Sequence, residues 1–388
     1  MKIIKLISLL ACAFPLAGHA AGDAQPPLKD QVDSAVAALM KQYNIPGMAV
    51  GISVDGKRYF YNYGVASRDS KLPVDQDTLF EIGSISKTFT ATLAAYAEVD
   101  GKLALSDKAS KYLPALRGSS LDQVSLLNLA THTPGGMPLQ FPDEVQSDEQ
   151  VMNYFRQWKP AYAPDTYRTY ANPGIGLLGW IAARSMDIPF EDALEKKLFP
   201  ALGLKHSYIK VPASQFKHYA QGYNSKDAPV RVSPGPLAAE AYGVKTGTGD
   251  LLQFLEANMQ LAKVDDQWQR AIKHTQTGYF RSGTLTQDLI WEQYAYPVEL
   301  KPLLAGNSGD MAYHPNPATR IEPALPPQAN VLINKTGSTN GFGGYVVFIP
   351  AKKTGIVILA NKNYPVDARV TTAYQLLQAL DGRQASKQ

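Results

Sequence analysis

Strand-like sequence lies at both ends of this chain and helix-like sequence fills the middle, and this distribution constrains the fold more than any single residue does. Residues 48–54 (MAVGISV) and 58–65 (RYFYNYGV) are rich in apolar, β-branched and aromatic side chains, and Asp55-Gly56 separates them. An Asp-Gly pair between two such runs favours a tight hairpin, because both residues tolerate the positive φ the turn needs. Near the other end, residues 344–349 and 355–360 form a second β pair across 350–354, followed by a helical pattern over 366–380. Ahead of the first pair, Val32, Val36, Leu39, Met40 and Tyr43 share one helical face. Helical patterns over 85–99, 125–132, 147–157, 174–185, 190–197, 248–261 and 264–274 lie between. Elements of like type tend to pair in space. The expectation is therefore an α+β fold, with one antiparallel sheet built from both chain ends and flanked by the terminal helices. A mostly helical lobe is inserted between them. The sheet region is expected over 24–83 and 296–384, and the mostly helical region with its long loops over 84–295. Two proline-containing stretches, 223–241 and 301–329, read as long surface loops.

The chain has 388 residues, 45% of them hydrophobic, enough for a large core and for two lobes with a ligand cleft between them. Lys plus Arg number 38 against 34 Asp plus Glu, with no basic run, so nucleic acid is not an expected partner. Residues 1–20 have the pattern of a secretory signal peptide. Lys2 and Lys5 precede an apolar stretch over 6–16, and Gly18-His19-Ala20 supplies a small-x-small cleavage site. Cleavage after Ala20 or Ala21 would deliver a periplasmic protein. The sole cysteine, Cys12, falls inside that segment, so the mature chain would have no disulfide and no thiolate. Leu9-Leu10-Ala11-Cys12 offers lipoprotein processing as the alternative. No other segment is long and apolar enough to span a bilayer, and a monomer outside the membrane is the expected mature form. The six histidines (19, 132, 206, 218, 274 and 314) include no His-x-His or His-Glu-x-x-His spacing, so neither a metal site nor another cofactor is expected.

Three motifs can carry chemistry. Ser84-Ile85-Ser86-Lys87 places a hydroxyl and an amine on one face at a helix start. The orphan N–H groups there favour developing negative charge. A serine is a weak nucleophile until a base or a desolvated lysine activates it. Ser-x-x-Lys recurs at Ser207–Lys210 and Ser214–Lys217, where a capping serine beside a solvated lysine is the plainer account. Ser84 differs because the helix it opens is mostly apolar (Phe89, Leu93, Tyr96, Val99). Tyr170-Ala171-Asn172 can aim a phenol and an amide into one cleft. Lys335-Thr336-Gly337-Ser338 follows a strand-like run and precedes Gly341, Gly343 and Gly344, placing a lysine and hydroxyls where a ligand backbone can approach closely. Lys245-Thr246-Gly247 and Lys353-Thr354-Gly355 repeat the triplet, the first before a helix start and the second in a hairpin turn, and both read as structural.

Taken in order, Ser-x-x-Lys, Tyr-x-Asn and Lys-Thr-Gly resemble the serine β-lactamase and penicillin-binding protein superfamily. The tyrosine of the middle motif is similar to that of class C, AmpC-like enzymes, and the Ser-Asp-Asn of class A is absent. The resemblance extends through Leu126 to Thr133, Gln140 with Phe141-Pro142-Asp143-Glu144, Glu240 to Lys245, and Leu359 to Pro365. It implies hydrolysis of the β-lactam amide of penicillins and cephalosporins, with resistance to these drugs as the consequence. Ser84 would be the nucleophile, Lys87 and Tyr170 would share the proton work, and Lys335 would hold the tyrosine's charge and the substrate carboxylate. The backbone N–H groups of Ser84 and Ser338 would make the oxyanion hole. Gln140 and Asn172 would bind the amide side chain, Tyr242 would line the pocket, and Thr336, Gly337, Ser338 and Asn363 would complete it. Where the family often has an asparagine after Asn363-Tyr364-Pro365, this chain has Val366, and Arg369 is expected to serve the carboxylate instead.

The chemistry closes energetically. A free tyrosine titrates near ~10, and lowering it by two or three units takes roughly 3–4 kcal/mol. Two ammonium groups at about 4 Å in a partly screened site can supply that. Sequence leaves open whether Tyr170 as the anion or Lys87 as the neutral amine is the base. A D,D-peptidase or esterase of the same superfamily would share these residues and differ in how fast water clears the acyl-enzyme. A β-lactam or peptidoglycan sensor would need a membrane anchor and a signalling domain. An α/β-hydrolase would need a Gly-x-Ser-x-Gly elbow, and the chain has none.

Overall fold

The computed structural model describes residues 28–385, so the signal-peptide and Cys12 readings fall on residues outside it. Helix α1 (Lys29–Tyr43) leads into strands β1 (Gly47–Val54) and β2 (Lys57–Gly64). Asp55 and Gly56 both take positive φ, 50° and 77°, so the Asp-Gly turn forms as its chemistry requires. The chain then runs through α2 (Ser86–Val99), α3 (Leu126–Ala130), α4 (Asn172–Ser185), α5 (Ala238–Tyr242), α6 (Thr248–Asn258) and α7 (Asp266–His274). It returns to the sheet in β3 (Gly278–Ser282), β4 (Leu285–Gln287), β5 (Glu292–Ala295), β6 (Thr319–Leu325), β7 (Val331–Ser338), β8 (Gly343–Ile349) and β9 (Thr354–Ala360), and ends in α8 (Val366–Ala385).

These strands form one nine-stranded sheet in the order β6-β3-β4-β5-β7-β8-β9-β1-β2, and all its pairs are antiparallel. The two chain ends meet where β1 pairs with β9, Val50 opposite Ile358. Alternation sets the two faces. Ile356 and Ile358 pack with Val32, Val36 and Leu39 of α1 and Val370, Leu376 and Leu377 of α8. Val357 and Leu359 point the other way, into the core that holds Leu251, Leu252 and Leu255 of α6 and Phe89 of α2. Both faces of the central strands are buried, which explains their nearly unbroken apolar sequence.

Three expectations need correction. The sheet draws β3, β4 and β5 from 278–295, inside the stretch expected to be mostly helical. Their buried side chains include Gln287, Glu292 and Gln293, so the apolar alternation that announces a strand is missing. The 301–329 stretch is no structureless loop, because it holds two short helices, Leu300–Gly306 and Gly309–Tyr313, and strand β6. Pro302 sits in a helical first turn and Pro323 on an edge strand, the two settings that tolerate a missing N–H. The 190–197 helix is broken into a short α-turn, a π-turn over Ala193–Leu198 and a further α-turn.

Candidate active site

Ser84 sits on a single 3₁₀ turn, Gly83–Ile85, that feeds α2. Gly83 has φ +51°, and a Cβ on it would lie 2.4 Å from the carbonyl oxygen of Ser338. A Cβ on Gly337 would lie 2.0 Å from the carbonyl oxygen of Ile82. Two glycines therefore let the end of β7 press against the turn that carries Ser84, and this brings the Ser338 backbone to Ser84. Helix α2 is buried along nearly its whole length, which fixes that turn on a rigid element.

One helical turn on, Lys87 is fully buried. Its Nζ donates to Ser84 Oγ at 2.8 Å and to the carbonyl oxygen of Ala241 in α5 at 2.9 Å. Tyr170 enters from the segment before α4. Lys87 Nζ and Lys335 Nζ lie 5.0 and 5.1 Å from its ring centroid, and the Arg168 guanidinium lies 5.6 Å away. The Tyr170 hydroxyl is buried without a well-formed hydrogen bond, with Ser84 and Lys87 its interacting neighbours. Burial raises the phenol's pKa, but Lys335 and then Lys87 outweigh it and hold the group down at about 8. Burial, reinforced by Lys335, lowers Lys87 to about 8 while Tyr170 opposes the shift. Phenol and amine thus titrate together, and their proton belongs to the pair.

The cleft above this group has a volume of about 470 Å³. Ser84, Tyr170 and Lys335 line it together with Thr336, Gly337 and Ser338 of β7 and with Gln140, Asn172 and Tyr242. Asn363 and Val366 also line it, so the chain's departure from the family pattern faces the cleft. Tyr242 comes from α5. Arg369 does not reach the cleft, contrary to the expectation. It is fully buried behind β7, where Nη1 donates to the Gly337 carbonyl and Ser338 Oγ, both at 2.9 Å. Nη2 donates to Asn363 Oδ1 at 2.7 Å and to the Tyr364 carbonyl. These bonds occupy both terminal nitrogens, so Arg369 braces the wall from behind instead of meeting a substrate.

The other serine–lysine pairs are elsewhere. Ser207 bonds to Thr246 and Asp250, and Ser214 lies on the exposed 3₁₀ helix Ala213–His218. Lys245 donates to the Ile209 carbonyl, and Lys353 sits in the β8–β9 turn at φ 47°.

Two contributors escaped the sequence reading. Arg168 is buried and ion-paired with Glu292 at 2.7 Å, and it also donates to Gln287 and to the Met311 carbonyl. This pair underlies the cleft floor and ties Tyr170's segment to β4 and β5. Truncating one partner of a buried pair leaves the other uncompensated, so Arg168→Ala is expected to cost about 3–5 kcal/mol in chemical denaturation. His132, at φ +59°, packs its ring at a 42° tilt, centroid 4.4 Å from that of Tyr170, and accepts from the Ala171 N–H at 3.3 Å. Burial, aided by Arg168, Lys87 and Lys335, keeps its imidazole neutral. Its backbone conformation, uncommon outside glycine, is a tertiary feature that the sequence does not display.

Comparison with known proteins agrees with this geometry. A family model described as Beta-lactamase matches residues 32–381. A β-lactamase of Pseudomonas fluorescens is 52% identical over 354 residues, covering 91% of this chain and 99% of that protein. A solved class C β-lactamase in complex with cefoxitin is 55% identical with a TM-score of 0.89, covering 91% of this chain and 98% of that one. A solved β-lactamase/D-alanine carboxypeptidase from Pseudomonas syringae is 54% identical with a TM-score of 0.89, covering 90% and 98%. With the match spanning the sheet, the helical lobe and every residue of the cleft, the chain belongs to the β-lactamase family.

Proposed function

We propose that the chain hydrolyses the β-lactam amide through an acyl-enzyme on Ser84. The observation that carries this reading is the Ser84 hydroxyl on the Lys87 ammonium at 2.8 Å, beside a phenol flanked by two cations. Ser84 Oγ attacks the ring carbonyl and its proton passes to the Tyr170–Lys87 pair. The Ser84 and Ser338 N–H groups receive the oxyanion, an interaction whose loss costs about 10²–10³ in rate in other hydrolases. The pair then protonates the departing ring nitrogen and takes a proton from the water that clears the ester. Lys335, Thr336 and Gly337 hold the substrate carboxylate, with Asn363 beside them. Gln140, Asn172 and Tyr242 hold the amide side chain. The Asn172 Oδ1, buried without a partner among the described residues, is free to accept a substrate N–H. We propose further that the mature protein is a periplasmic monomer. Among the described residues no helix is long and apolar enough to cross a membrane.

A second reading, a D-alanine carboxypeptidase, is favoured by the Pseudomonas syringae relative, whose description names both activities. Stopped-flow nitrocefin hydrolysis set against release of D-alanine from an acyl-D-Ala-D-Ala peptide separates the two. Fast, burst-free nitrocefin turnover with slow D-alanine release supports the lactamase. A lasting nitrocefin adduct with fast D-alanine release supports the peptidase.

The shared proton also sets a pH dependence. The base form exists above the pair's pKa, so for a substrate limited by acylation kcat/KM should rise about tenfold per unit below pH ~8 and level off above it. A flat profile from pH 6 to 9 would show that the pair has already lost its proton at pH 6.

A further inference from the structure

Behind the wall that carries Tyr242 lies a second, larger cleft of about 1000 Å³. Trp180 and Ala183 of α4, Phe190, Ile209, Tyr219 and Tyr242 give it an apolar, aromatic lining. Its cations are already engaged or lie at the rim. Arg231 donates to the Ala220 and Tyr219 carbonyls and rests on the Phe216 and Tyr219 rings, at 5.0 and 4.3 Å. Lys245 donates to Ile209. Arg184 and Lys210 are exposed.

Glu240 is the exception. It lines the cleft from α5, is only 7% exposed, and among the described residues its carboxyl bonds to nothing beyond its own backbone amide. Burial raises the carboxyl to about 8, and the nearby Glu191 and Asp148 add to the shift. A buried carboxyl without a counter-charge, walled by aromatic faces, is a receptor for a hydrophobic cation. We propose that this cleft is a second ligand site that takes an aromatic organic ammonium ion, with Glu240 as its anionic partner. On binding, the carboxyl gives its proton to water and the ammonium takes its place.

The site is mechanically connected to the first. Thr90 Oγ1 donates to the Glu240 carbonyl at 2.6 Å, and Lys87 Nζ donates to the next carbonyl, Ala241, at 2.9 Å. Helix α5 thus hangs from the catalytic helix, and a ligand that shifts it disturbs the amine beside Ser84. Occupancy therefore lowers kcat without competing for the substrate.

The test uses naphthylmethylammonium as the probe, at about pH 8, in equilibrium dialysis and as an inhibitor of nitrocefin hydrolysis. One saturable site is expected, unchanged when phenylboronic acid occupies Ser84. Binding should weaken about tenfold or more for the uncharged naphthylmethanol and in Glu240→Gln, the scale of a lost charge-assisted bond. It should also weaken in Trp180→Ala, a half-buried position whose truncation spares the core. Nitrocefin kcat should fall even at saturating nitrocefin. Equal affinity for the alcohol, displacement by phenylboronic acid, competitive inhibition, or no saturable binding would each overturn the proposal.

Discussion

Ser84→Ala should lower β-lactam turnover by about 10⁴- to 10⁶-fold and leave the fold intact, the scale seen when the nucleophile of a serine hydrolase is removed. The fold is expected to survive because Ser84 is half-buried and its hydroxyl contacts the Lys87 ammonium, which keeps its second acceptor, the Ala241 carbonyl. The Lys87 ammonium is therefore not left without an acceptor. Circular dichroism and thermal unfolding should be unchanged while nitrocefin hydrolysis falls to background. Ser207→Ala provides the contrast. Its hydroxyl bonds to Thr246 and Asp250 outside the cleft, so losing it should reduce stability by about 1 kcal/mol and spare kcat. If Ser207→Ala silences the enzyme and Ser84→Ala does not, the choice of nucleophile is wrong.

Tyr170→Phe should slow turnover by about 10²- to 10⁴-fold, the usual worth of a positioned acid–base group. Its effect on stability should be small, because loss of a desolvated hydroxyl offsets loss of the counter-charge between Lys87 and Lys335. The phenol oxygen is buried without a good hydrogen bond, so deleting it removes a desolvated polar atom while the ring keeps its packing on His132. Loss of activity with a nearly unchanged Tm is what a residue kept for activity should show. A destabilised variant that keeps its activity would assign Tyr170 to structure. Without the phenolate, Lys87 and Lys335 face each other with no intervening negative charge. Any residual activity should therefore depend on the neutral amine of Lys87, whose pKa should fall further.

The sheet's central strands and the three motifs could be read from the sequence because each depends on local signals. The Asp55-Gly56 turn, the β-branched runs at 344–360 and the serine–lysine spacing at 84–87 carry their geometry with them. The decoy triplets were separable by context, since Lys245 precedes a helix and Lys353 occupies a turn. What escaped depends on tertiary pairing. Strands at 278–295 bury Gln287 and Glu292 because Arg168, more than a hundred residues earlier, supplies their partner. Helical spacing puts Arg369 one turn beyond Val366 and so predicts it at the cleft. The same spacing also permits the inward rotamer, and that is the one the β7 carbonyls and Asn363 select. His132 and the Ala241 carbonyl act through backbone geometry, which residue type does not disclose.

Every step proposed for the cleft requires the ring carbonyl to become an ester of one particular hydroxyl. Quenched-flow intact-mass measurement during turnover of a penicillin tests this directly. Opening the ring leaves the amine tethered, so the adduct should add the full mass of the drug. Peptide mapping should place it on Ser84, and Ser84→Ala should form none. An adduct on any other residue, or full turnover by Ser84→Ala, would contradict the account.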